Sequence, residues 1–379
     1  MTLSTHPSGS SRTPSTCAAS AAPPVFLRSL EALGGRTLAE GRAPARPRLV
    51  ALGGGTGLPV VLRGLKAALA PAGAEGPLSA TDRDRLTAIV TVADDGGSSG
   101  RLRRQYGMLA PGDVRNCLLA LSEGADTLAS LFGFRFNHQG EMSGHSLGNL
   151  ILTALSQMET GFERAVERAG EILAIQGRVL PATREPIRLE AEFEDGTRIE
   201  GESRVAGVRR RIRRVRLRPA AAAALPQALE AIRRADCIVI GPGSLYTSLI
   251  PVLLTRGLVE AIVGSGVRVV LVMNLMTEPG ETDGYSAADH LMALRVHAPG
   301  LPVHDVILNA APPADPERRR YADQGAQPLP IEPEALAALG CRVCVADLLG
   351  PGAEVRHDAQ KLARAILELA GRPASADNV

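Results

Sequence analysis

Short apolar runs that end in glycine-rich loops recur along the chain. Three of these runs end directly in such a loop, and a predicted helix follows the first and the third. The runs are residues 48–52 before GGGTG at 53–57, residues 86–93 before DDGGSSG at 94–100, and residues 236–240 before GPGS at 241–244. A strand, a glycine loop and a helix in succession are typical of βαβ units, so the pattern predicts parallel strands in an open sheet.

The same alternation extends over most of the chain. Residues 113–178 are predicted to be mainly helical, residues 267–273 and 303–308 to be further strands, and residues 357–371 to be a closing helix. Alternating strands and helices predict an α/β class protein with a Rossmann-like, doubly wound, mainly parallel sheet.

One segment, residues 187–218, has the period of a strand. Apolar and charged residues alternate over 187–193, and Asp195-Gly196 is a tight-turn signal. Residues 199–203 and 208–217 are predicted to continue as extended strands. We therefore expect a small antiparallel β insertion of two or three strands inside the α/β chain.

These patterns divide the chain into five parts. They are a disordered tail at 1–46, the first part of the Rossmann-like domain at 47–186, the β insertion at 187–218, the second part of the domain at 219–372 and a C-terminal tail at 373–379. The first tail is rich in Ser, Thr, Ala and Pro and has no apolar period, which is typical of disorder.

Composition narrows the kind of protein and the partners that we expect. Apolar residues make up 45% of the 379 residues but aromatics only 3%, so the core should be built from aliphatic side chains. The net charge of +2 favours neither nucleic-acid nor membrane binding, and the arginine-rich run at 209–218 has no interleaved aromatics. Five scattered cysteines indicate reduced thiols and a soluble, cytoplasmic protein, whereas the presence of a homo-oligomer stays open.

The glycine loops are the first candidates for a ligand site. In an open α/β sheet, ligands bind beyond the carboxyl ends of the strands, where backbone N–H groups at helix starts favour anions. Two such loops in different βαβ units are expected to bind one ligand from both sides; the simpler alternative is that each loop is only a tight turn. The predicted ligand residues here are Gly53, Gly54, Gly55, Thr56, Gly57, Gly241, Gly243 and Ser244.

Polar residues in the other loops are candidates for the rest of the site. Asp94 and Asp95 are expected to hold Mg²⁺ or to accept hydrogen bonds from a ribose, with helix capping as the alternative. Capping is also the alternative for Asp113 and Ser146, and a packing role is the alternative for Tyr285. The predicted ligand contacts in these loops are Asp95, Ser98, Ser99, Asp113, Asn116, His145, Ser146, Asn149, Tyr285 and Arg356.

Several of these segments are distinctive when they are taken in order. They read ALGGGTGLPVVLRGLK, TAIVTVADDGGSSGRLR, PGDVRNCLLAL, GHSLGNLIL, AEFEDGTRIEGES, IVIGPGSLYTSLIPVLL and MTEPGETDGY. Over residues 48–371 the chain resembles the gluconeogenesis factor family of bacteria, within the broader superfamily that includes 2-phospho-L-lactate transferase.

The resemblance implies a fold, a location and a ligand. It implies a Rossmann-like fold, a cytoplasmic protein, and a role in cell shape and peptidoglycan synthesis during growth on gluconeogenic carbon sources. It also implies binding of UDP-sugars such as UDP-N-acetylglucosamine. The related transferase moves a phospholactyl group from a guanosine-diphospho donor to a deazaflavin precursor, with Mg²⁺.

Two functions therefore remain open. The first is a regulatory protein that binds a UDP-sugar without turnover. The second is a transferase that uses a nucleotide-diphospho donor, in which Asp94 and Asp95 would hold Mg²⁺ on the diphosphate and His145 would assist the acceptor. The sequence contains no nucleophile and base at a fixed spacing, so it indicates no covalent mechanism.

Overall fold

The computed structural model describes residues 47–69, 80–123 and 127–371. The two predicted tails, residues 1–46 and 373–379, lie outside these ranges. The described residues form ten strands. They are β1 Leu49–Gly53, β2 Leu86–Val90, β3 Arg178–Pro181, β4 Arg188–Phe193, β5 Arg198–Glu200, β6 Ile212–Arg218, β7 Cys237–Ile240, β8 Arg268–Val272, β9 Asp305–Asn309 and β10 Arg342–Ala346.

Helices connect these strands. They are α1 Gly57–Leu69, α2 Ala80–Arg83, α3 Gly97–Tyr106, α4 Gly112–Leu121, α5 Thr127–Gly133, α6 Leu147–Met158, α7 Phe162–Ile172, α8 Glu202–Ala206, α9 Pro226–Arg233, α10 Ile250–Leu253, α11 Leu258–Ser265, α12 Ala287–His297, α13 Asp315–Asp323, α14 Pro333–Ala338 and α15 Ala359–Ala370. A π-helical turn, Leu245–Leu249, leads into α10. None of the described helices is long and apolar enough to cross a membrane.

Seven parallel strands form the central sheet, in the order β10-β9-β8-β7-β1-β2-β3. The chain begins in the middle at β1, moves outward to β3, returns to β7 on the other side of β1, and then moves outward to β10. The order therefore reverses between β1 and β7, which is the point where doubly wound sheets bind their ligands. The predicted Rossmann-like α/β fold is confirmed.

The sheet is buried on both faces because helices cover it. Every residue of β1, β2, β7 and β8 is buried, which explains why these strands are continuous apolar runs rather than alternating ones. Close packing also explains a glycine inside a helix. A Cβ atom on Gly64 of α1 would lie 1.9 Å from the Ala359 carbonyl oxygen at the start of α15, so only glycine allows this approach.

The predicted antiparallel insertion is confirmed as a three-stranded sheet in the order β5-β4-β6. Leu189, Ala191 and Phe193 of β4 are fully buried, whereas the arginines on the outer face of β6 lie in solvent. Many of those arginines pair with glutamates of β4; Arg218, for example, lies 2.8 Å from Glu190. The arginine-rich run is therefore a solvated strand face with its own counter-ions.

One local prediction is wrong, and one strand was missed. The return strand of the insertion ends at Glu200, and the chain turns into α8 at Glu202, because the Asp95 carboxylate accepts hydrogen bonds from the Ser203 N–H at 2.9 Å and from its hydroxyl at 2.7 Å. Strand β3, which begins at Arg178 where the predicted helical segment ends, was not predicted. It is only four residues long and ends in Pro181, so it is too short to show a period.

Three neighbouring strands are joined at their amino ends, on the edge of the sheet opposite the glycine loops. The Asp305 carboxylate at the start of β9 is completely buried. It accepts from the Arg268 guanidinium of β8 at 2.8 Å and from Arg342 Nε of β10 at 2.6 Å. One carboxylate shared by two arginines fixes the alignment of β8, β9 and β10.

Replacing this carboxylate should therefore destabilise the sheet strongly. We expect Asp305→Asn to lower the free energy of unfolding in urea by about 3–5 kcal/mol, because it leaves buried guanidinium charge without its carboxylate. The matched control is Asp347→Asn, whose side chain is 58% exposed and pairs with Lys361. That variant should lose less than about 1 kcal/mol. Equal losses in the two variants would contradict this account of the strand ends.

Candidate functional site

The two glycine loops meet at the switch point of the sheet. The loop after β1 and the loop after β7 are so close that a Cβ atom on Gly57 would lie 2.1 Å from the Pro242 carbonyl oxygen. A Cβ atom on Gly243 would lie 3.4 Å from the carbonyl oxygen of Gly54. The structure thus brings together the two segments that the sequence placed in separate βαβ units, and their glycines let the backbones approach.

A buried carboxylate holds the first loop in place. Asp113, in the first turn of α4, accepts a hydrogen bond from the Gly55 N–H and makes no capping bond to its own helix. Burial, and after it the charge of Asp94, raise the pKa of Asp113 to about 6. Gly55 itself has a φ of +63°, in the left-handed region that favours glycine.

Two side chains that sequence analysis missed hold the second loop. Asn274, just after β8, accepts from the Gly243 N–H at 2.9 Å and donates to the Gly243 carbonyl at 3.0 Å. Glu281 accepts from the Tyr246 N–H at 3.0 Å and from the Thr247 hydroxyl at 2.8 Å, at the start of the π-helical turn. The signal for Asn274 was its position at the carboxyl end of a predicted strand.

A cavity of about 760 Å³ opens beside the joined loops, beyond the ends of β7 and β8. Its walls include Thr56, Gly57 and Gly243 from the loops. Arg320, Tyr321 and Arg356 line the opposite side, and the Arg320 guanidinium lies 5.4 Å from the centre of the Tyr321 ring. Backbone loops, two arginines and an aromatic ring in one cavity suit a ligand with phosphates and a planar base.

The two aspartates of the second predicted loop point to different partners. Asp94 Oδ1 accepts from the Gly96 N–H at 2.9 Å, whereas Asp95 is bound to Ser203 of the insertion. Within residues 47–69, 80–123 and 127–371, no group of three or more His, Cys, Asp or Glu side chains is arranged to hold a metal ion. Magnesium binding by Asp94 and Asp95 stays a prediction, and phosphate oxygens and water would have to supply the other ligands.

A third acid joins Asp94 and Asp113 from the insertion. Glu202 begins α8, and burial followed by the charges of Asp94 and Asp113 raises its pKa to about 8. Glu202 is therefore mostly protonated at neutral pH. Sequence analysis missed this residue, because its proximity to Asp94 depends on how the insertion packs against the sheet.

A polar cluster lies on the other side of the first glycine loop. His145 Nδ1 and Ser98 Oγ are 3.0 Å apart, and Asn149 donates to the same Ser98 oxygen at 3.1 Å. Burial, with a smaller contribution from Arg101, lowers the pKa of His145. Ser146 donates its hydroxyl to the Phe132 carbonyl and makes no capping bond to α6.

Three other predicted residues take distinct positions. Tyr285 is buried, and its hydroxyl lies 2.9 Å from that of Tyr246, below the guanidinium of Arg211 from the insertion. Asn116 accepts from Arg115 at 2.7 Å. Arg356 lies at the rim of the large cavity. The predicted residues therefore fall into a cavity side and a cluster side, with Tyr285 in the packing beneath the insertion.

Comparison with known proteins shows the family to which the chain belongs. Residues 49–349 match the family model of 2-phospho-L-lactate transferase CofD. The chain belongs to the CofD family. Within it, the chain belongs with the gluconeogenesis factors: it is 44% identical to the gluconeogenesis factor of Halalkalibacterium halodurans, over 88% of this chain and 99% of that protein.

Further relatives of this CofD-family chain extend the comparison. It is 41% identical to the gluconeogenesis factor of Bacillus subtilis, over 86% of this chain and 98% of that protein. The crystal structure of a UPF0052 family protein from Bacillus halodurans superposes with a TM-score of 0.78 at 44% identity, covering 85% of this chain and 99% of that one. The resemblance inferred from the motifs is therefore confirmed.

The half-buried Glu202 makes a testable contribution to stability. A pKa raised from 4.5 to about 8 means that its contribution is fully present below pH 4.5 and is lost as pH rises through 8. Glu202→Gln cannot ionise, so we expect its stability relative to the parent to be greater at pH 8.5 than at pH 5 by on the order of 2 kcal/mol.

The measurement is urea unfolding of both proteins at the two pH values. Glu200→Gln is the control, since Glu200 is exposed and pairs with Arg188 at 2.8 Å. Its stability difference from the parent should be the same at pH 5 and pH 8.5. A Glu202→Gln difference that does not change with pH would show that the carboxyl is not held among the other acids.

Proposed function

We propose that this CofD-family chain is a regulatory protein that binds a UDP-sugar of the UDP-N-acetylglucosamine type and leaves it intact. Its biological role would be that of a gluconeogenesis factor, needed for cell shape and peptidoglycan synthesis during gluconeogenic growth. The cytoplasm is the proposed location, which agrees with the free thiols of Cys117, Cys237, Cys341 and Cys344.

The observation that carries the proposal is the contact of the two glycine loops beside one cavity. A nucleotide sugar has a diphosphate between two hydroxyl-rich groups, and the diphosphate needs close backbone N–H donors. The loops supply such donors at the switch point, and Gly57 and Gly243 both line the cavity. Its volume of about 760 Å³ lies in the usual range for a bound small molecule.

The residues around the cavity can be assigned to parts of such a ligand. Arg320 and Arg356 would neutralise diphosphate charge, which the loops alone would not do, with Arg356 also paired to Glu354. The Tyr321 ring would offer a face for a base, and Asn274 fixes the backbone of Gly243 beside the cavity. These assignments require binding but no chemical step.

The alternative function is transfer from a nucleotide-diphospho donor. The observation in its favour is the hydrogen bond between Ser98 and His145, whose pKa is lowered by burial. These are a nucleophile and base type of pair, in a chain whose family model is described as a transferase. Ser98 is only 4% exposed and lies on the cluster side of the first loop, so it does not face the cavity assigned to the nucleotide.

The binding proposal predicts a difference between two glycines with the same backbone strain. Gly55 has a φ of +63° in the site, and Gly196 has a φ of +80° at the hairpin turn of the insertion, with no atom within 4 Å of an added Cβ. Replacing either by alanine should cost about 1–2 kcal/mol of stability. Only Gly55→Ala should also weaken UDP-N-acetylglucosamine binding, by about tenfold or more, in calorimetric titrations.

Turnover is measured with the same ligand. The full chain is incubated with labelled UDP-N-acetylglucosamine, Mg²⁺ and cell extract, and the products are separated. The regulatory proposal expects the label to remain in the intact nucleotide sugar. Protein-dependent release of UDP or UMP that is lost in Asp94→Asn would instead establish the transferase. Unchanged affinity in Gly55→Ala would remove the glycine loop from the binding site.

A further inference from the structure

Arg115 is a buried cation without a carboxylate partner. Its side chain is only 8% exposed, and within the described residues it forms no ion pair. The guanidinium donates to the neutral Asn116 amide at 2.7 Å, and its Nε has no hydrogen-bond partner at all. A buried charge normally requires an opposite charge or several hydrogen bonds, and the described residues supply Arg115 with too few of either.

The unpartnered Nε lies at the start of a helix. The Cδ atom of Arg115, one bond from Nε, would be 2.8 Å from a Cβ atom placed on Gly148 in the first turn of α6. This helix has 12 residues. Its N-cap, Ser146, makes no side-chain cap, and the Phe134 carbonyl accepts from the Leu147 N–H at 2.9 Å, which leaves the next N–H groups of the first turn for a ligand. The positive end of the helix dipole and a guanidinium with an unpartnered Nε therefore lie close together, and both favour an anion.

The N-termini of two more helices lie at the same place. Ser98, in the first turn of α3, is bonded to His145 and to Asn149 of α6. A Cβ atom on Gly112, at the start of α4, would lie 2.6 Å from the Ser99 hydroxyl oxygen. Like α6, neither α3 nor α4 has a side-chain cap.

Two further arginines surround the loop that leads into α6. Arg101 donates to the Ser143 carbonyl at 2.5 Å and Arg135 to the Gly144 carbonyl at 2.8 Å. Neither forms an ion pair with a described carboxylate, whereas many surface arginines of this chain do. The two nearby acids, Asp94 and Asp113, are already bound to the N–H groups of Gly96 and Gly55.

An orphaned acceptor in the same cluster limits the ligand further. Asn149 is 2% exposed, and while its Nδ2 binds Ser98, its Oδ1 has no partner. A ligand that binds both atoms must accept a hydrogen bond from Arg115 Nε and donate one to Asn149 Oδ1. The charge of Arg115 also requires that the ligand be an anion. A phosphate group with an O–H, or with a hydroxyl on its attached carbon chain, meets both requirements.

We propose that Arg115, Arg101, Arg135 and the first turns of α3, α4 and α6 form a phosphate-binding subsite, separate from the nucleotide cavity. The subsite lies beyond β2, on the opposite side of the first glycine loop from the cavity beyond β7 and β8. It takes the phosphoryl group of a second ligand, and it goes beyond the proposed UDP-sugar site without depending on it.

The test is calorimetric titration of the full chain with inorganic phosphate. We expect one phosphate to bind per chain, and Arg115→Gln to weaken it about tenfold or more, since charge-assisted hydrogen bonds are lost. Arg101→Gln, in a half-buried side chain less important for packing, should weaken it as well. Arg164→Gln is the control, because Arg164 lies exposed on α7 and pairs with Glu167.

A second titration separates this subsite from the proposed function. Arg320→Gln should weaken UDP-N-acetylglucosamine binding and leave phosphate binding unchanged, whereas Arg101→Gln should do the reverse.

Glycerol phosphate as titrant distinguishes a phosphate ester from the free anion. Tighter binding than that of inorganic phosphate assigns the subsite to an ester, and weaker binding assigns it to free phosphate. No phosphate binding to the parent chain, or equal binding in the parent, Arg101→Gln and Arg115→Gln proteins, would overturn the proposal whatever the nucleotide does.

Discussion

The close approach of two backbone segments at the centre of the sheet is the constraint on which the rest of the site depends. Gly57 and Pro242 are so near that no Cβ atom fits between them. This contact is possible only because β1 and β7 are parallel neighbours at the point where the strand order reverses. Side chains then fix each loop from outside: Asp113 binds the first through Gly55, and Asn274 binds the second through Gly243.

Charge is distributed unevenly around these loops. The cavity beyond β7 and β8 has charges of both signs, since Arg320 and Arg356 line it together with Glu278 and Glu354. Only acids, Asp94, Asp113 and Glu202, gather close to the first loop. Burial first, and then the charges of neighbouring acids, raise the pKa of both Asp113 and Glu202, which costs stability as pH rises. Perturbed acids of this kind gather at functional sites more often than elsewhere, which agrees with the position of the glycine loops beside them.

Local sequence patterns predicted the parts of the molecule that are determined locally. The buried strands, the glycine loops that follow them and the alternation of β4 could all be inferred, because each has its own period or turn residues. Strand β3 could not, since four residues ending in Pro181 carry no period. The contact of Asp95 with Ser203 spans 108 residues, so it depends on how the insertion packs against the sheet. Local sequence patterns therefore could not predict that Asp94 and Asp95 have different partners, or that Glu202 lies near Asp94.

Amide hydrogen exchange of the full chain, with and without UDP-N-acetylglucosamine, tests the central claim most directly. The claim is that the joined glycine loops bind the ligand, so exchange should slow in residues 53–57 and 241–248. A second cavity, of about 570 Å³, lies at the β3 edge of the sheet and is lined by residues of α7 such as Glu163 and Glu167. Slower exchange at that edge, with no change in either glycine loop, would contradict the account.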